Sequence, residues 1–122
     1  MMMVPQDCNF SCSTDVFDKV AEIAGTSGRE PGDCIKCAND ILTAFQEAGV
    51  VARKVELRSN WHFIIYKPEP DEAITETGRH FAVEAQGKIY DAFHPEGIAI
   101  EEYINQFDVP SPFATLELLE VG

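Results

Sequence analysis

All four cysteines lie in the first third of the sequence, and they are the residues of this chain with the widest chemical use. Cys8 and Cys12 form a C-x3-C pair, and Cys34 and Cys37 form a C-x2-C pair. Such a set can form disulfides in an oxidising compartment, or supply four thiolates to a structural zinc site. It can also contain one nucleophile while the others are small buried apolar residues. The segment that follows Cys34 favours the nucleophile.

Cys34 and Cys37 lie at the start of a predicted helix over residues 33–48. Apolar residues recur there at helical spacing, Asp33 is a good N-cap, and Gly49 follows the last turn. The helix dipole and the free N–H groups of a first turn stabilise a thiolate, and the same N–H groups can hold an oxyanion. Either cysteine therefore lies where a catalytic thiol is favoured.

A histidine and an aspartate meet in a predicted hairpin further along the chain. Residues 79–85 and 88–93 read as two strands joined by a two-residue turn. In that register His80 lies opposite Phe93, on the same face as Asp91, and the two polar side chains are diagonal neighbours. A carboxylate beside an imidazole fixes the tautomer of the ring and stabilises the imidazolium.

A helix-borne cysteine together with His80 and Asp91 predicts a Cys-His-Asp triad. Taken singly, each residue also fits a structural role, as a strand histidine, a surface acid near a turn, or a core thiol. His62 and His94 are the alternative histidines, but neither has an acid at a comparable hairpin position. The joint arrangement is what favours catalysis.

The elements that must position these residues predict an α+β fold, with helices first and a mostly antiparallel sheet after them. Besides the cysteine helix and the hairpin, helices are predicted at 13–24, capped by Ser13 or Thr14 and ended by Gly25, and at 100–107. Further strands are predicted at 50–57, 61–67 and 114–121. Loops or turns are predicted for the segments rich in glycine, proline or charge, at 25–32, 67–78 and 94–97.

Length and charge limit the classes of function. The 122 residues, 45% of them hydrophobic, predict one domain over 1–122 with a core that needs no staple. The net charge of −12 argues against binding to nucleic-acid phosphates or to an anionic membrane surface. The first ten residues lack the basic start and apolar run of a signal peptide. We therefore expect a cytoplasmic location, or secretion by a route that needs no such signal.

The order of these residues resembles the papain-like superfamily of cysteine hydrolases. The segment DCIKCA is similar to the papain-type motif in which a structural cysteine precedes the nucleophile by three residues. The helix from Cys37 to Gly49 resembles that of the NlpC/P60 peptidases, and both similarities imply Cys37 as the nucleophile. The NlpC/P60 pattern also has Asp directly before the nucleophile. Here that pair is Asp33-Cys34, which keeps Cys34 as the alternative nucleophile.

The sequence also resembles, over residues 33–107, the papain fold toxin 2 group, small domains of bacterial polymorphic toxins. The shared features are a CxxCA helix start, a GxHxxV-like strand at residues 78–83, and a following Asp with HPEG-like residues. The glutamine that helps form the oxyanion hole of papain has no counterpart six residues before Cys37, where Pro31 lies. Gln6, or a backbone N–H alone, would serve instead.

This resemblance implies a papain-like domain whose cysteine-bearing helix packs on a small antiparallel sheet. It implies a thiol hydrolase that acts on amide bonds, by peptide cleavage or glutamine deamidation, and needs no cofactor or metal. Cys37 would attack, His80 would act as base and then acid, and Asp91 would orient His80. It further implies a bacterial toxin or effector with a protein or peptide substrate and an immunity protein as partner. The alternative is a non-catalytic interaction module on the same fold, with or without a zinc staple through the four cysteines.

Overall fold

The computed structural model describes residues 16–30 and 32–121, which form an α+β fold as the sequence predicts. The helices are α1 (described over residues 16–26), α2 (Asp33–Glu47) and α3 (Ile100–Tyr103), and a 3-10 turn (Ile104–Gln106) continues α3. The strands are β1 (Ala52–Ser59), β2 (Ile65–Tyr66), β3 (Glu69–Ala73), β4 (Arg79–Ala85), β5 (Lys88–Asp91), β6 (His94–Ala99), β7 (Phe107–Asp108) and β8 (Leu116–Glu120).

The strands form two antiparallel sheets. The larger sheet has five strands in the order β6-β5-β4-β1-β8, and the smaller has three in the order β3-β2-β7. Strand β4 is central in the larger sheet, where His80 lies opposite Leu57 of β1. The residues of β4 from Val83 to Ala85 pair with strands on both sides, whereas His80 is held by pairing with β1.

The apolar face of α2 packs on β4 and β5 of the larger sheet. Its buried residues recur at helical spacing and are Cys37, Ala38, Ile41, Ala44 and Phe45. They join α1 and the helix-facing side of the sheet in one core. In the part of the chain that the structure describes, no helix is long and apolar enough to cross a membrane.

The opposite face of the larger sheet buries a second core. Successive residues of a strand point to opposite faces, so Val83 packs with the helices while Ala82 packs on the other side. The second core is closed by the smaller sheet and by the α3 region, with Ile64, Tyr66, Tyr103 and Phe107 among its buried side chains. His80 shares the face of Ala82, so the candidate catalytic histidine belongs to this second core.

The β4–β5 hairpin has the register that the sequence predicts. Ala85 lies opposite Lys88, and Val83 lies opposite Tyr90. The two turn residues between the strands, 86 and 87, have φ of 55° and 83°, the left-handed pair that a tight primed turn requires. Strand β5 ends at Asp91, so the first residues of β4 extend beyond it. This leaves an open sheet corner beside His80.

The helix ends differ from the predictions by one or two residues. Gly49 does end α2, since its φ of 77° is left-handed and the N–H of Val50 donates to the carbonyl of Phe45 at 2.9 Å. The N-cap, however, is Gly32 rather than Asp33, which is the first helical residue.

Helix α1 also differs from its predicted end. It continues past Gly25 to residue 26, because the hydroxyls of Thr26 and Ser27 donate to carbonyls of its last turn. The predicted caps at Ser13 and Thr14 lie outside the described residues.

The prediction of a strand at 61–67 and a loop at 67–78 is wrong in detail. Only Ile65–Tyr66 forms a strand there, and the segment predicted as a loop contains β3. Strand β3 is an edge strand whose residues are mostly exposed. Edge strands tolerate proline and charge, which is why its composition reads as a loop.

The prediction of a turn at 94–97 is also wrong. Residues 92–93 make the turn, and the HPEG segment begins the edge strand β6. The strand predicted at 88–93 accordingly ends two residues early, at Asp91. The helix predicted at 100–107 is only the four residues of α3 and the 3-10 turn.

Candidate active site

His80 and Asp91 form a buried hydrogen-bonded pair on the second-core face of the hairpin. The distance from His80 Nε2 to Asp91 Oδ2 is 2.9 Å, and each residue is 2% exposed. The sequence predicted this pairing from strand parity, and the geometry confirms the contact. Burial alone would lower the pKa of His80, but the bond to Asp91 and the nearby thiol of Cys34 raise it to about 9. The imidazolium is therefore favoured.

The other ring nitrogen of His80, Nδ1, is buried and has no hydrogen-bond partner among the described residues. The Cys34 thiol is half-buried next to this imidazole. Burial would raise the pKa of Cys34, but the adjacent imidazole of His80 and its positive charge outweigh that effect, and the backbone N–H groups of Phe81 and Cys34 add to the lowering. The pKa of this thiol is held below its usual value, which favours a thiolate–imidazolium pair.

The position of α2 relative to β4 explains how Cys34 reaches His80. Because β5 ends at Asp91, the start of β4 is uncovered on that side, and the N-terminal turn of α2 packs there. The N–H of Phe81 is directed at the Cys34 thiol from this uncovered strand segment. The Asp33 N–H donates to the carbonyl of Glu30 at 3.0 Å, but no side chain caps the first turn of α2, so the Cys34 N–H remains available to an anion.

Cys37 lies elsewhere, although the resemblance implied it as the nucleophile. It is 2% exposed and belongs to the core under α1 and α2. Burial and the charges of Asp91 and Asp40 raise the pKa of its thiol, against a smaller opposite effect of a hydrogen bond with Ser27. The structure thus brings Cys34, His80 and Asp91 together and leaves Cys37 out of contact with His80.

Two surface cavities and a narrow cleft lie close to Cys34. A cavity of about 300 Å³ on one side is lined by Cys34, Ile35, Phe81 and the β3–β4 loop. A narrow cleft of about 10 Å³, the size of one water, lies between Cys34, His80 and Phe93. A third cavity of about 430 Å³ continues past Phe93 along β3. The first cavity and the cleft share Cys34, and the cleft and the third cavity share Phe93.

Gly78 sets the entry to β4, two residues before His80. Its φ of 76° is left-handed, and a Cβ there would collide with the backbone carbonyls of Trp61 and Ser59. Its N–H donates to the carbonyl of His62 at 2.9 Å. Glycine is therefore required where the loop closes onto the strand, which gives the G-x-H spacing a physical cause.

The alternative histidines have other surroundings. His62 is exposed and stacks on Trp61, with ring centroids 4.7 Å apart. His94 contacts Asp91, with 2.8 Å between its Nδ1 and Asp91 Oδ1. Neither histidine lines the cleft at Cys34.

Sequence reasoning missed two polar contacts of Asp91, those of Tyr103 and His94, and no local pattern indicates the first. Tyr103 is fully buried, and its hydroxyl donates to Asp91 Oδ2 at 2.6 Å. The tyrosine lies in a short amphipathic segment that reads simply as a core-facing helix. The spacing of Asp91 and His94, three residues apart across a turn, was the available signal for the second histidine.

The zinc site through four cysteines and the role of Gln6 in an oxyanion hole stay predictions from the sequence. Cys8, Cys12 and Gln6 lie outside the described residues. Within residues 16–30 and 32–121, no group of three or more His, Cys, Asp or Glu side chains is placed to hold a metal ion.

Comparison with known proteins identifies a protein family. The family described as papain fold toxin 2 matches residues 15–108, most of the chain. The chain belongs to this family, and its α+β architecture is that of a papain-like fold. Comparisons with curated proteins and with solved structures give no match.

Proposed function

We propose that the protein is a thiol hydrolase that acts on amide bonds, with Cys34 as nucleophile. The observation that carries the proposal is the Cys34 thiol beside the unpartnered Nδ1 of His80, whose Nε2 is bound by Asp91. Membership of a papain-fold toxin family is consistent with a cysteine hydrolase. The proposal changes the nucleophile from Cys37 to the alternative that the sequence left open.

The chemistry follows from the ionised pair. The Cys34 thiolate attacks the carbonyl carbon of an amide, and the negative charge moves to the carbonyl oxygen. The Cys34 backbone N–H, in the uncapped first turn of α2, is the donor suited to that oxyanion. His80 then gives its proton to the leaving nitrogen, which departs as an amine or as ammonia.

The thioester that remains is hydrolysed by the reverse roles. His80, now neutral, takes a proton from water, and the hydroxide attacks the thioester carbonyl. The carboxylic acid leaves, and the Cys34 thiolate and the His80 imidazolium are restored. Asp91 stays ionised throughout, because its hydrogen bonds outweigh burial and hold its pKa well below the usual range. It orients His80 and stabilises its charge.

The substrate that suits the site is a protein or peptide. The cavities of about 300 Å³ and about 430 Å³ on the two sides of the Cys34 cleft give room for side chains flanking a scissile or target bond. Peptide cleavage and glutamine deamidation need the same three groups and differ in the leaving nitrogen.

A role as a bacterial toxin or effector, with an immunity protein as partner, is the biological setting that we propose. Its support is the family, whose members are described as toxins. The net charge of −12 disfavours nucleic acid and anionic membranes as partners. A cytoplasmic location, or export without a signal peptide, remains a prediction from the sequence.

The proposal is tested by incubating the full chain with a bacterial lysate and mapping changes by mass spectrometry. Peptide cleavage creates new N-termini, whereas deamidation converts specific glutamines to glutamates. We expect one of these signals from the wild type and from Cys37→Ala, and loss of the signal in Cys34→Ala. The two variants are matched, since they remove the same thiol one helical turn apart.

Three other outcomes would contradict the proposal. A signal that survives in Cys34→Ala but disappears in Cys37→Ala would return the nucleophile to Cys37. No signal from any form, together with slow alkylation of all cysteines in the native protein, would overturn catalysis. Zinc bound to the purified chain, with unfolding on addition of a chelator, would support the alternative interaction module.

A further inference from the structure

The carboxylate of Asp91 receives more hydrogen bonds than the proposed triad alone would supply. Oδ2 accepts from His80 Nε2 at 2.9 Å and from the Tyr103 hydroxyl at 2.6 Å. Oδ1 accepts from the Phe93 N–H at 3.0 Å and lies 2.8 Å from His94 Nδ1. The carboxylate is 2% exposed, so these four groups fill its hydrogen-bonding sites in place of water.

The surroundings of His94 determine which of its nitrogens carries hydrogen. Nδ1 is at the Asp91 carboxylate, which can only accept. Nε2 is buried and has no partner in the described part of the chain. The ring is packed among Tyr66, Tyr103 and Phe107, with centroids between 5.5 and 6.2 Å away. His94 is therefore an Nδ1–H donor to Asp91.

The two imidazoles contact Asp91 through different ring nitrogens. His80 gives Nε2 to the carboxylate and keeps Nδ1 for the thiol, whereas His94 gives Nδ1 and leaves Nε2 in an apolar cage. The terminal torsion of an aspartate has a broad, two-fold profile, so the carboxylate needs external contacts to keep one orientation. Donors on both oxygens supply those contacts.

We propose that His94 and Tyr103 are positioning residues of the active site, which orient the Asp91 carboxylate so that Oδ2 holds His80 with Nδ1 toward Cys34. The inference rests on the proposed function for its catalytic meaning. Neither residue lines the cleft at Cys34, so neither acts on the substrate itself. Both residues come from segments that follow the hairpin, α3 and the start of β6.

The test compares His94→Leu with His94→Asn. Leucine removes the donor but keeps an apolar side chain in the aromatic cage. The amide nitrogen of asparagine occupies nearly the position of Nδ1 and can still donate to Oδ1. Tyr103→Phe removes only the hydroxyl on Oδ2. His62→Asn, at an exposed histidine outside the site, is the control for losing an imidazole.

Two readouts are taken on each folded variant. The first is the nitrogen NMR spectrum of ¹⁵N-histidine protein, which reports the protonation of both ring nitrogens of His80 and whether the ring occupies a single environment. The second is the rate of Cys34 alkylation by iodoacetamide across pH 5 to 9. In His94→Leu and in Tyr103→Phe, we expect the His80 ring to lose its single environment. We also expect iodoacetamide to alkylate Cys34 about 10-fold more slowly below neutral pH. His94→Asn should recover most of the rate.

The two readouts separate failure of this inference from failure of the proposed function. If His80 keeps one form and Cys34 keeps its rate in both His94→Leu and Tyr103→Phe, the positioning role is overturned. A second outcome is that iodoacetamide alkylates Cys34 of the wild type no faster than an unfolded thiol, while the His80 spectrum changes in His94→Leu. That outcome would support the positioning role and show that the proposed nucleophile is wrong. Equal losses in His94→Leu and His94→Asn would indicate a packing role and overturn the inference.

Discussion

Two thiols one turn apart on α2 have opposite surroundings. Cys34 is half-buried beside an imidazole that lowers its pKa, whereas Cys37 is buried in the core and its pKa is raised. Both are near the helix N-terminus, so the dipole favours a thiolate at either position. The difference shows that the partner across the cleft, more than the helix end, determines which thiol has the lowered pKa.

Helix geometry explains how this separation arises. Residues three apart on a helix differ by about 60° around its axis, which is enough to direct neighbours to different surroundings. Cys34 is directed to the open corner beside β4, where the Phe81 N–H and the His80 ring lie. Cys37 is directed beneath the α1–α2 loop, toward Ser27.

The largest expected effect is on the reactivity of the two thiols. With iodoacetamide at pH 6.5, we expect Cys34 to label about 100-fold faster than Cys37, because a thiol of ordinary pKa is only about 1% ionised there. His80→Asn should remove that advantage. Mass spectrometry of quenched samples locates the adduct and gives both rates from one experiment.

The pH profile provides the control for this labelling. His80 loses its proton as the pH passes about 9, so the advantage of Cys34 should fall above that pH. Equal labelling of both cysteines below neutral pH, or faster labelling of Cys37, would contradict the contrast between the two sites.

The next effect is on stability, through the same imidazole. The folded pKa of His80, about 9, lies above the ordinary value of 6.5, so folding takes up a proton there. Taken alone, its contribution is complete below pH 6.5 and is lost as the pH rises to about 9, by up to about 3 kcal/mol. The lowered pKa of Cys34 acts in the opposite sense and offsets part of that loss. Urea unfolding at pH 6 and pH 9.5 measures this loss.

The matched variants for that measurement are His80→Asn and His62→Asn. His80→Asn should lack most of this alkaline loss, while His62→Asn controls for removal of an exposed imidazole. An alkaline loss of the same size in His80→Asn and in the wild type would show that the buried pair with Asp91 contributes no linked stability.

The smallest effect concerns Cys37 as a packing residue. Cys37→Ala removes a buried sulfur from the core and should lower the free energy of unfolding by about 1 kcal/mol. Cys34 should still label within a factor of about two of the wild-type rate. Urea unfolding and alkylation of the same sample test both statements. A 10-fold loss of Cys34 labelling in Cys37→Ala would show that the two sites are coupled.

Local patterns predicted the hairpin and the cysteine helix. Strand alternation and a two-residue turn are enough to put His80 and Asp91 on one face, and the helical spacing after Cys34 is enough to define the face of α2. Patterns did not predict β3 or the start of β6, because edge strands tolerate proline and charge that otherwise indicate loops.

The sequence by itself determined that a thiol-bearing helix and a His-Asp hairpin occur in this order, since both features depend on residues near one another in the chain. Only the tertiary structure decided that Cys34 rather than Cys37 meets His80, and that Tyr103 holds Asp91. Those contacts depend on how α2 packs over the open end of β4 and how α3 folds back on the second core. Such packing joins residues far apart in the chain, and no short-range spacing encodes it.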